Sequence, residues 1–292
     1  MKLGVGLPTT IPGTTAEQTL QWASSAERLG FSTLGTLDRL AFDNYDPVPV
    51  LAAAAAVTHR IGLATSILIA PYRGNGAVLA KQLASIDRLS GGRLTVGIAV
   101  GTREDDYSVT GTDYSTRGKV MDDLLLRMHA LWEGAVVDGG RIGPPPTGHG
   151  KPPLLIGGGG KSALRRVVQH GSGWISGGGG VEAFKQTADA VRAAWLHAGR
   201  NGSPRLVSLG YFALGANARE AASRYLGQYY GFSGQYAEHV IANALTSSAQ
   251  IEEEIGAFSA AGCDELILFP CLPDPDQVDL LAAIRPPSQT AE

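Results

Sequence analysis

Between residues 61 and 101 the chain carries two kinds of apolar pattern in turn. Residues 61–69 (IGLATSILI) form a near-continuous apolar run, and residues 94–100 (LTVGIAV) form another. Between them Val78, Leu79, Leu83, Ile86 and Leu89 recur at helical spacing. A Pro/Gly/Asn-rich turn over residues 71–76 precedes that stretch, and a Ser-Gly-Gly stop at 90–92 follows it. The spacing predicts strand, helix, strand, which is one βαβ unit. Strands that are apolar without alternation are covered on both faces, as in a parallel sheet.

The same rhythm runs through the rest of the chain. A first strand is expected over residues 3–7. Thr14 or Thr15 then caps a helix whose inner stripe is Leu20, Trp22, Ala23, Ala26 and Leu29, with Gly30 as its stop. Residues 31–37 read as the second strand, ending in Asp38-Arg39, and Pro47 or Pro49 opens an alanine-rich helix. Residues 61–69 and 94–100 are strands three and four, and a polar loop is expected over 102–115. A helix over 116–133 follows, with Val120, Leu124, Arg127, Met128 and Leu131 near its inner face. Strands five to eight are expected over 153–156, 173–176, 206–214 and 265–269, with helices over 161–170, 181–198 and 276–284. The helical stretch 218–258 is longer than one crossover needs. Its aromatic part (Tyr225, Tyr229, Tyr230, Phe232, Tyr236) either covers the top of the fold or meets a partner subunit. The tail 285–292 reads as frayed. Eight strands alternating with helices predict a (β/α)8 TIM barrel over residues 1–292, a doubly wound sheet being the second choice. Catalytic residues then belong in the loops after the strands. Three segments read as lids or insertions: about 102–115, 134–150 and 228–245.

Composition changes this picture little. The 292 residues are 44% hydrophobic and 17% charged, with a net charge of −3 and no basic block, which argues against nucleic acid or an anionic membrane as partner. No apolar run reaches the length of a membrane span, and the start shows no signal-peptide core. The two cysteines, Cys263 and Cys271, match neither CxxC nor a disulfide framework. They read as packing thiols in a reducing cytoplasm.

Candidate chemistry gathers after the strands. Gly157–Gly160 follows a strand and opens a helix, where free backbone N–H groups make an anion site; the alternative is a tight turn that needs small residues. Gly160-Lys161-Ser162 ends like a P-loop, but Leu155 stands where its first glycine belongs. A dinucleotide fingerprint fails because the first strand ends in Leu7-Pro8. Asp38 and Glu104, after strands two and four, are candidates for an acid/base pair of glycosidase type, or else are a loop cap and a solvated charge. Arg39 either holds an anionic ring or substrate carboxylate, or pairs with Asp43 or Asp46. The six histidines lie mostly in or at the ends of helices, none at a strand end and no pair with metal-ligand spacing, so no metal site is expected. No G-x-S-x-G elbow is present.

The stretch LATSILIAPYRGNGAVLAKQLASIDRLSGGRLTVGIAVG closely resembles the central region of the luciferase-like monooxygenase superfamily. These are flavin- and deazaflavin-dependent (β/α)8 oxidoreductases. DPVPVLAAAAAVTHRIGLAT and PPLLIGGGGKSALRRVVQHGSGWI resemble two further segments, so the likeness runs over most of residues 1–215. The resemblance implies FMN or coenzyme F420 as cofactor. It also implies a non-proline cis peptide at Ser66-Ile67 whose bulge supports the ring, and a polar contact from Asp38 to the ring edge. Gly101, Thr102 and Glu104 match a loop that in the deazaflavin branch carries a ring contact and an acidic residue. Gly157, Gly158, Gly159, Gly160 and Ser162 match the cofactor phosphate site. The family implies a small organic substrate, a flavin reductase as supplier of reduced FMN, and a homodimer. A catalytic histidine common after strand two is replaced here by Arg39. Arginine stays protonated, so it would position groups or neutralise charge and would not shuttle protons. Ser66 and the GTRE loop lean toward the deazaflavin branch. A non-catalytic flavin-binding protein and a barrel hydrolase built on Asp38 and Glu104 are the alternatives.

Overall fold

The computed structural model describes residues 1–137, 139–147 and 150–284; His149 and the tail 285–292 lie outside them. Eight parallel strands close into a barrel in the order β1-β10-β9-β8-β7-β4-β3-β2. They are β1 (Lys2–Gly6), β2 (Thr33–Thr36), β3 (Gly62–Ile69), β4 (Leu94–Ala99), β7 (Leu154–Gly157), β8 (Gly173–Ile175), β9 (Arg205–Phe212) and β10 (Glu265–Pro270). The crossovers carry α1 (Ala16–Arg28), α2 (Pro47–Val57), α3 (Ala77–Leu89), α4 (Glu104–Thr110), α5 (Arg117–Trp132), α6 (Lys161–His170) and α7 (Gly180–His197). Next come α8 (Ala218–Tyr230), α9 (Gln235–Ala242), α10 (Ser248–Ala260) and α11 (Asp276–Ile284). The expected barrel is the fold observed. No described helix is long and apolar enough to cross a membrane.

Local chemistry explains where the elements begin. Thr15, not Thr14, caps α1: its side chain accepts from the Gln18 N–H while Gln18 reaches back to the Thr15 N–H. Asp46 caps α2 with Pro47 at the first helical position. One apolar layer lies between strands and helices and includes Trp22, Leu51, Leu83 and Phe258. A second fills the barrel and includes Ala64, Leu155, Val207, Ile267 and Phe269. Phe269 fits inside because Gly6 faces it; a Cβ there would stand 2.1 Å from the ring. At the N-terminal end of the barrel a buried Glu265 accepts from Ser32, from Thr33 (2.7 Å) and from Arg205 (2.5 Å). A carboxylate at that end braces the barrel and is remote from the mouth.

Four local expectations are corrected. The polar stretch 102–115 is not a loop but holds α4 and a 3₁₀ turn over Tyr114–Thr116. Tertiary contacts organise it: Tyr107 buries its ring and donates to the Val100 carbonyl (2.5 Å), and Asp106 accepts from Leu40 and Ala41 N–H. In α3 the outer members of the apolar series, Val78 and Leu89, face outward at 66% and 71% exposure. On α5 Arg127 is exposed, and Met121 and Leu125 take the inner face. In α1 Leu20 and Leu29 are only half-buried. The Gly/Pro-rich excursion contains a short antiparallel hairpin, β5 (Val136–Val137) with β6 (Gly140–Arg141).

Candidate active site

The C-terminal ends of the strands open into a cavity of about 540 Å³. Its floor comes from β3. The Ser66-Ile67 peptide is cis, the β3–β4 register shifts between Thr65 and Leu68, and the neighbours Ser66 and Ile67 both line the cavity together with Ile69. Ser66 is fully buried, lines the cavity, and its Oγ has no hydrogen-bond partner. A buried hydroxyl left unpaired costs about 1–3 kcal/mol, so this atom fits a polar group seated on the floor.

Asp38 lines the cavity, yet both of its oxygens are engaged within the protein. Oδ2 accepts from the Ile69 N–H (2.8 Å), and Oδ1 accepts from Arg73 Nη2 (2.8 Å). Arg73 Nη1 reaches Asp46 (2.8 Å). Burial pushes the Asp38 carboxyl up, and Arg73 opposes that push. Burial pulls Arg73 down, but Asp38 and Asp46 outweigh it and hold the guanidinium charged. Asp38 thus fixes the backbone beside the floor.

Arg39 pairs with neither Asp43 nor Asp46. It donates to the Tyr229 carbonyl (2.7 Å) and the Ala41 carbonyl (3.1 Å), and its guanidinium lies 4.1 Å from the Phe42 ring centroid. It therefore ties the end of β2 to α8, with its buried Nε unpartnered in the cavity wall.

Gly157 and Gly158 bring the end of β7 into the same cavity, joined by Gly177 after β8. A Cβ on Gly157 would stand 3.0 Å from both Ala99 and Ile67, and Gly158 has φ +98°. Gly159, Gly160 and Ser162 continue from there to the exposed start of α6, whose N-terminus has no side-chain cap. Uncapped first-turn N–H groups and the helix dipole favour an anion at this position.

Two segments cover the mouth. Gly101, Thr102, Arg103 and Asp106 line it from one side; Tyr229, Tyr230, Phe232 and Tyr236 line it from the other. Glu104 is exposed at the first turn of α4, outside the lining, and a Glu104–Asp38 hydrolase pair is not assembled there. The described residues between 134 and 147 contribute nothing to the lining. They run along α3, where Lys81 donates to the Gly143 carbonyl (2.8 Å) and Asp87 accepts from the Thr147 N–H (2.6 Å). Arg103, Asp106 and Leu209 were not among the residues expected at the site, and the adjacent Asp106-Tyr107 pair, buried at the first turns of α4, carries no distinctive signal in sequence. Tyr107 lines the cavity, whereas Phe269 fills the barrel and Phe212 belongs to the outer layer.

Comparison with known proteins adds the following. A family model described as luciferase-like monooxygenase matches residues 1–267. An uncharacterised protein of Mycobacterium tuberculosis is 33% identical over 173 residues, taking in 56% of this chain and 61% of that protein. The chain thus spans about three-fifths of the curated relative it matches. The FMNH(2)-dependent dimethylsulfone monooxygenase of Pseudomonas putida is 25% identical over 225 residues, 70% of this chain and 60% of that enzyme. A solved F420-dependent secondary alcohol dehydrogenase superposes over 100% of both chains with a TM-score of 0.83 at 18% identity, which is a likeness of fold.

Proposed function

The chain belongs to the luciferase-like monooxygenase family, and from that premise we propose that it is an oxidoreductase whose mouth cavity holds reduced FMN or coenzyme F420 together with a small organic substrate. The observation that carries this reading is the floor of the cavity. Ser66, with its unpartnered Oγ and the cis peptide that follows it, shares the cavity lining with Gly157 and Gly158, which lead to the uncapped start of α6. A flat heterocycle with ring acceptors and a phosphate-bearing tail matches that combination of features; a sugar does not need the glycine wall.

In this reading Ser66 and Ile67 support the ring, and the backbone around Gly101 and Thr102 borders it. Gly157 to Gly160, with Ser162, hold the phosphate through N–H groups and a hydroxyl. When bound, either coenzyme supplies the redox step, FMN by activating oxygen and coenzyme F420 by exchanging a hydride. The protein's own groups bind, orient and exclude water. Asp38 acts through Ile69 to keep the floor in place. Arg39 supplies a fixed positive charge at the wall and holds α8 over the mouth, and the two covering segments keep water from the reacting centre. Glu104 reaches the cavity only through an inward turn of α4. With FMN, a flavin reductase supplies the reduced form. The outward apolar residues of α3 support pairing with a second copy of the chain, and the two buried free cysteines suit a reducing cytoplasm.

The test is a titration of the purified protein with FMN and with coenzyme F420, each oxidised and reduced. Binding of either supports the reading, and the preferred one selects oxygen insertion or hydride transfer. Absence of binding in all four forms refutes it.

A further inference from the structure

Building on the proposed oxidoreductase function, we infer that the substrate is a neutral molecule bearing a hydrogen-bond-accepting oxygen, such as a ketone, and that Tyr230 donates the bond that holds it. The argument starts from a pair of phenols. Tyr211 on β9 and Tyr230 at the end of α8 place their hydroxyls 2.6 Å apart. One bond between two hydroxyls uses one of their two protons. Tyr211 is buried against Tyr225 and Phe269, and its hydroxyl has no other hydrogen-bond partner among the described residues. Were Tyr230 the donor, the Tyr211 proton would be stranded in apolar surroundings, the costly arrangement. Tyr211 therefore donates, and the Tyr230 proton is left over. Tyr230 lines the cavity, so that proton serves whatever lies in it. Burial holds both phenols above their ordinary range, which keeps them neutral donors.

The charges around the same cavity are already committed. Asp38 is bound by Arg73 and the Ile69 N–H, and Asp106 by the Leu40 and Ala41 N–H groups. Arg103 pairs with Asp105, and Arg39 is held by two carbonyls with Asp105 at 3.9 Å. Much of the remaining wall is apolar, with Leu37, Ile67, Ile69 and Leu209, beside the hydroxyl-bearing Ser66, Thr102, Tyr229 and Tyr236. Arg39 and Arg103 are matched by Asp105 and Asp106, and Arg73 by Asp38, so a carboxylate or phosphate on the substrate would be desolvated here with no net positive charge among these described groups to meet it. A carbonyl or hydroxyl oxygen needs one donor, and Tyr230 offers one.

The experiment measures binding of three matched probes to the cofactor-loaded protein by ligand-observed NMR: cyclohexanone, methylenecyclohexane and cyclohexanecarboxylate. Wild type is expected to bind the ketone tightest and the carboxylate weakest. Tyr230→Phe should lose about tenfold in ketone affinity, the worth of one hydrogen bond, with less than a twofold change for the hydrocarbon. Tyr211→Phe leaves the Tyr230 proton in place and should lose less than Tyr230→Phe. Equal ketone affinity in Tyr230→Phe and wild type, or tighter binding of the carboxylate than of the ketone, overturns the inference. If neither coenzyme binds, the oxidoreductase reading fails on its own. The same probe panel on the cofactor-free protein then still decides the role of Tyr230.

Discussion

Asp38→Ala is the substitution whose consequence can be worked furthest from the structure. The side chain is 1% exposed and accepts two hydrogen bonds of 2.8 Å, one from the Ile69 N–H and one from Arg73. Its removal leaves a buried N–H unpaired, which costs about 1–3 kcal/mol. It also breaks an ion pair whose members are both largely buried, where loss of one partner costs about 3–5 kcal/mol. Arg73 keeps Asp46, but that carboxylate is 38% exposed and compensates only in part. The two losses share one side chain and do not add, so the expected destabilisation is about 3 kcal/mol. For a chain of this size that is a fall of roughly 6–12 °C in Tm. Urea unfolding followed by the fluorescence of the four tryptophans measures it. Asp38→Asn should lose less, because its amide oxygen can still accept from Ile69. In the Asp38→Ala/Arg73→Ala double variant the losses should be smaller than the sum of the singles, as expected for contacting partners. Because Ile69 lines the cavity, Asp38→Ala should also weaken coenzyme binding about tenfold or more. A destabilisation below about 1 kcal/mol, with coenzyme affinity unchanged, would refute the idea that Asp38 braces the floor.

Two further outcomes follow from single positions. Gly157→Val places a branched side chain where even a Cβ would stand 3.0 Å from Ala99 and Ile67. Coenzyme affinity by titration should fall about a hundredfold (roughly 2.7 kcal/mol) while the far-ultraviolet circular dichroism stays that of the wild type. His129, stacked on His170 with both ring nitrogens buried and unpartnered, is pushed down to about 4 by burial, with Lys151 and His170 adding to the effect. The unfolded chain then binds a proton that the native state refuses. Stability is fully present above about pH 6.5 and falls as pH drops from there toward 4, by about 2 kcal/mol after allowing for the partly exposed ring. Comparing urea midpoints of wild type and His129→Leu at pH 7.5 and 4.5 isolates this, and an identical pH dependence in both proteins would exclude it.

Much of the site was legible before any coordinates. The glycine run at 157–160 stood out as an anion site or a tight turn because a strand ends in small residues and opens a helix there, and Gly157 and Gly158 do line the cavity. The position of the cis peptide at Ser66-Ile67 came from resemblance; no feature of composition or spacing around it marks a cis bond. Asp38 was recognisable as a polar residue at a strand end, but its partners were not, since Arg73 and Ile69 lie 35 and 31 positions away. Arg39 was expected to pair with Asp43 or Asp46 because those are near in sequence; its main partner is a carbonyl 190 residues on. The charged run at 103–106 read as solvated loop because its anchors, Leu40 and Ala41, belong to another crossover.

The order of the strands and the positions of the helices between them are properties of the sequence itself. They depend on patterns that repeat within one or two turns, and local sterics and solvation act over that range. Which face of α4 turns inward, which carboxylate meets Arg73, and which phenol meets Tyr230 were decided only in three dimensions. Those outcomes depend on barrel closure, which sets strand ends from opposite halves of the chain within hydrogen-bonding distance. Once water is excluded there, each polar group must take whatever partner the closed barrel has put beside it.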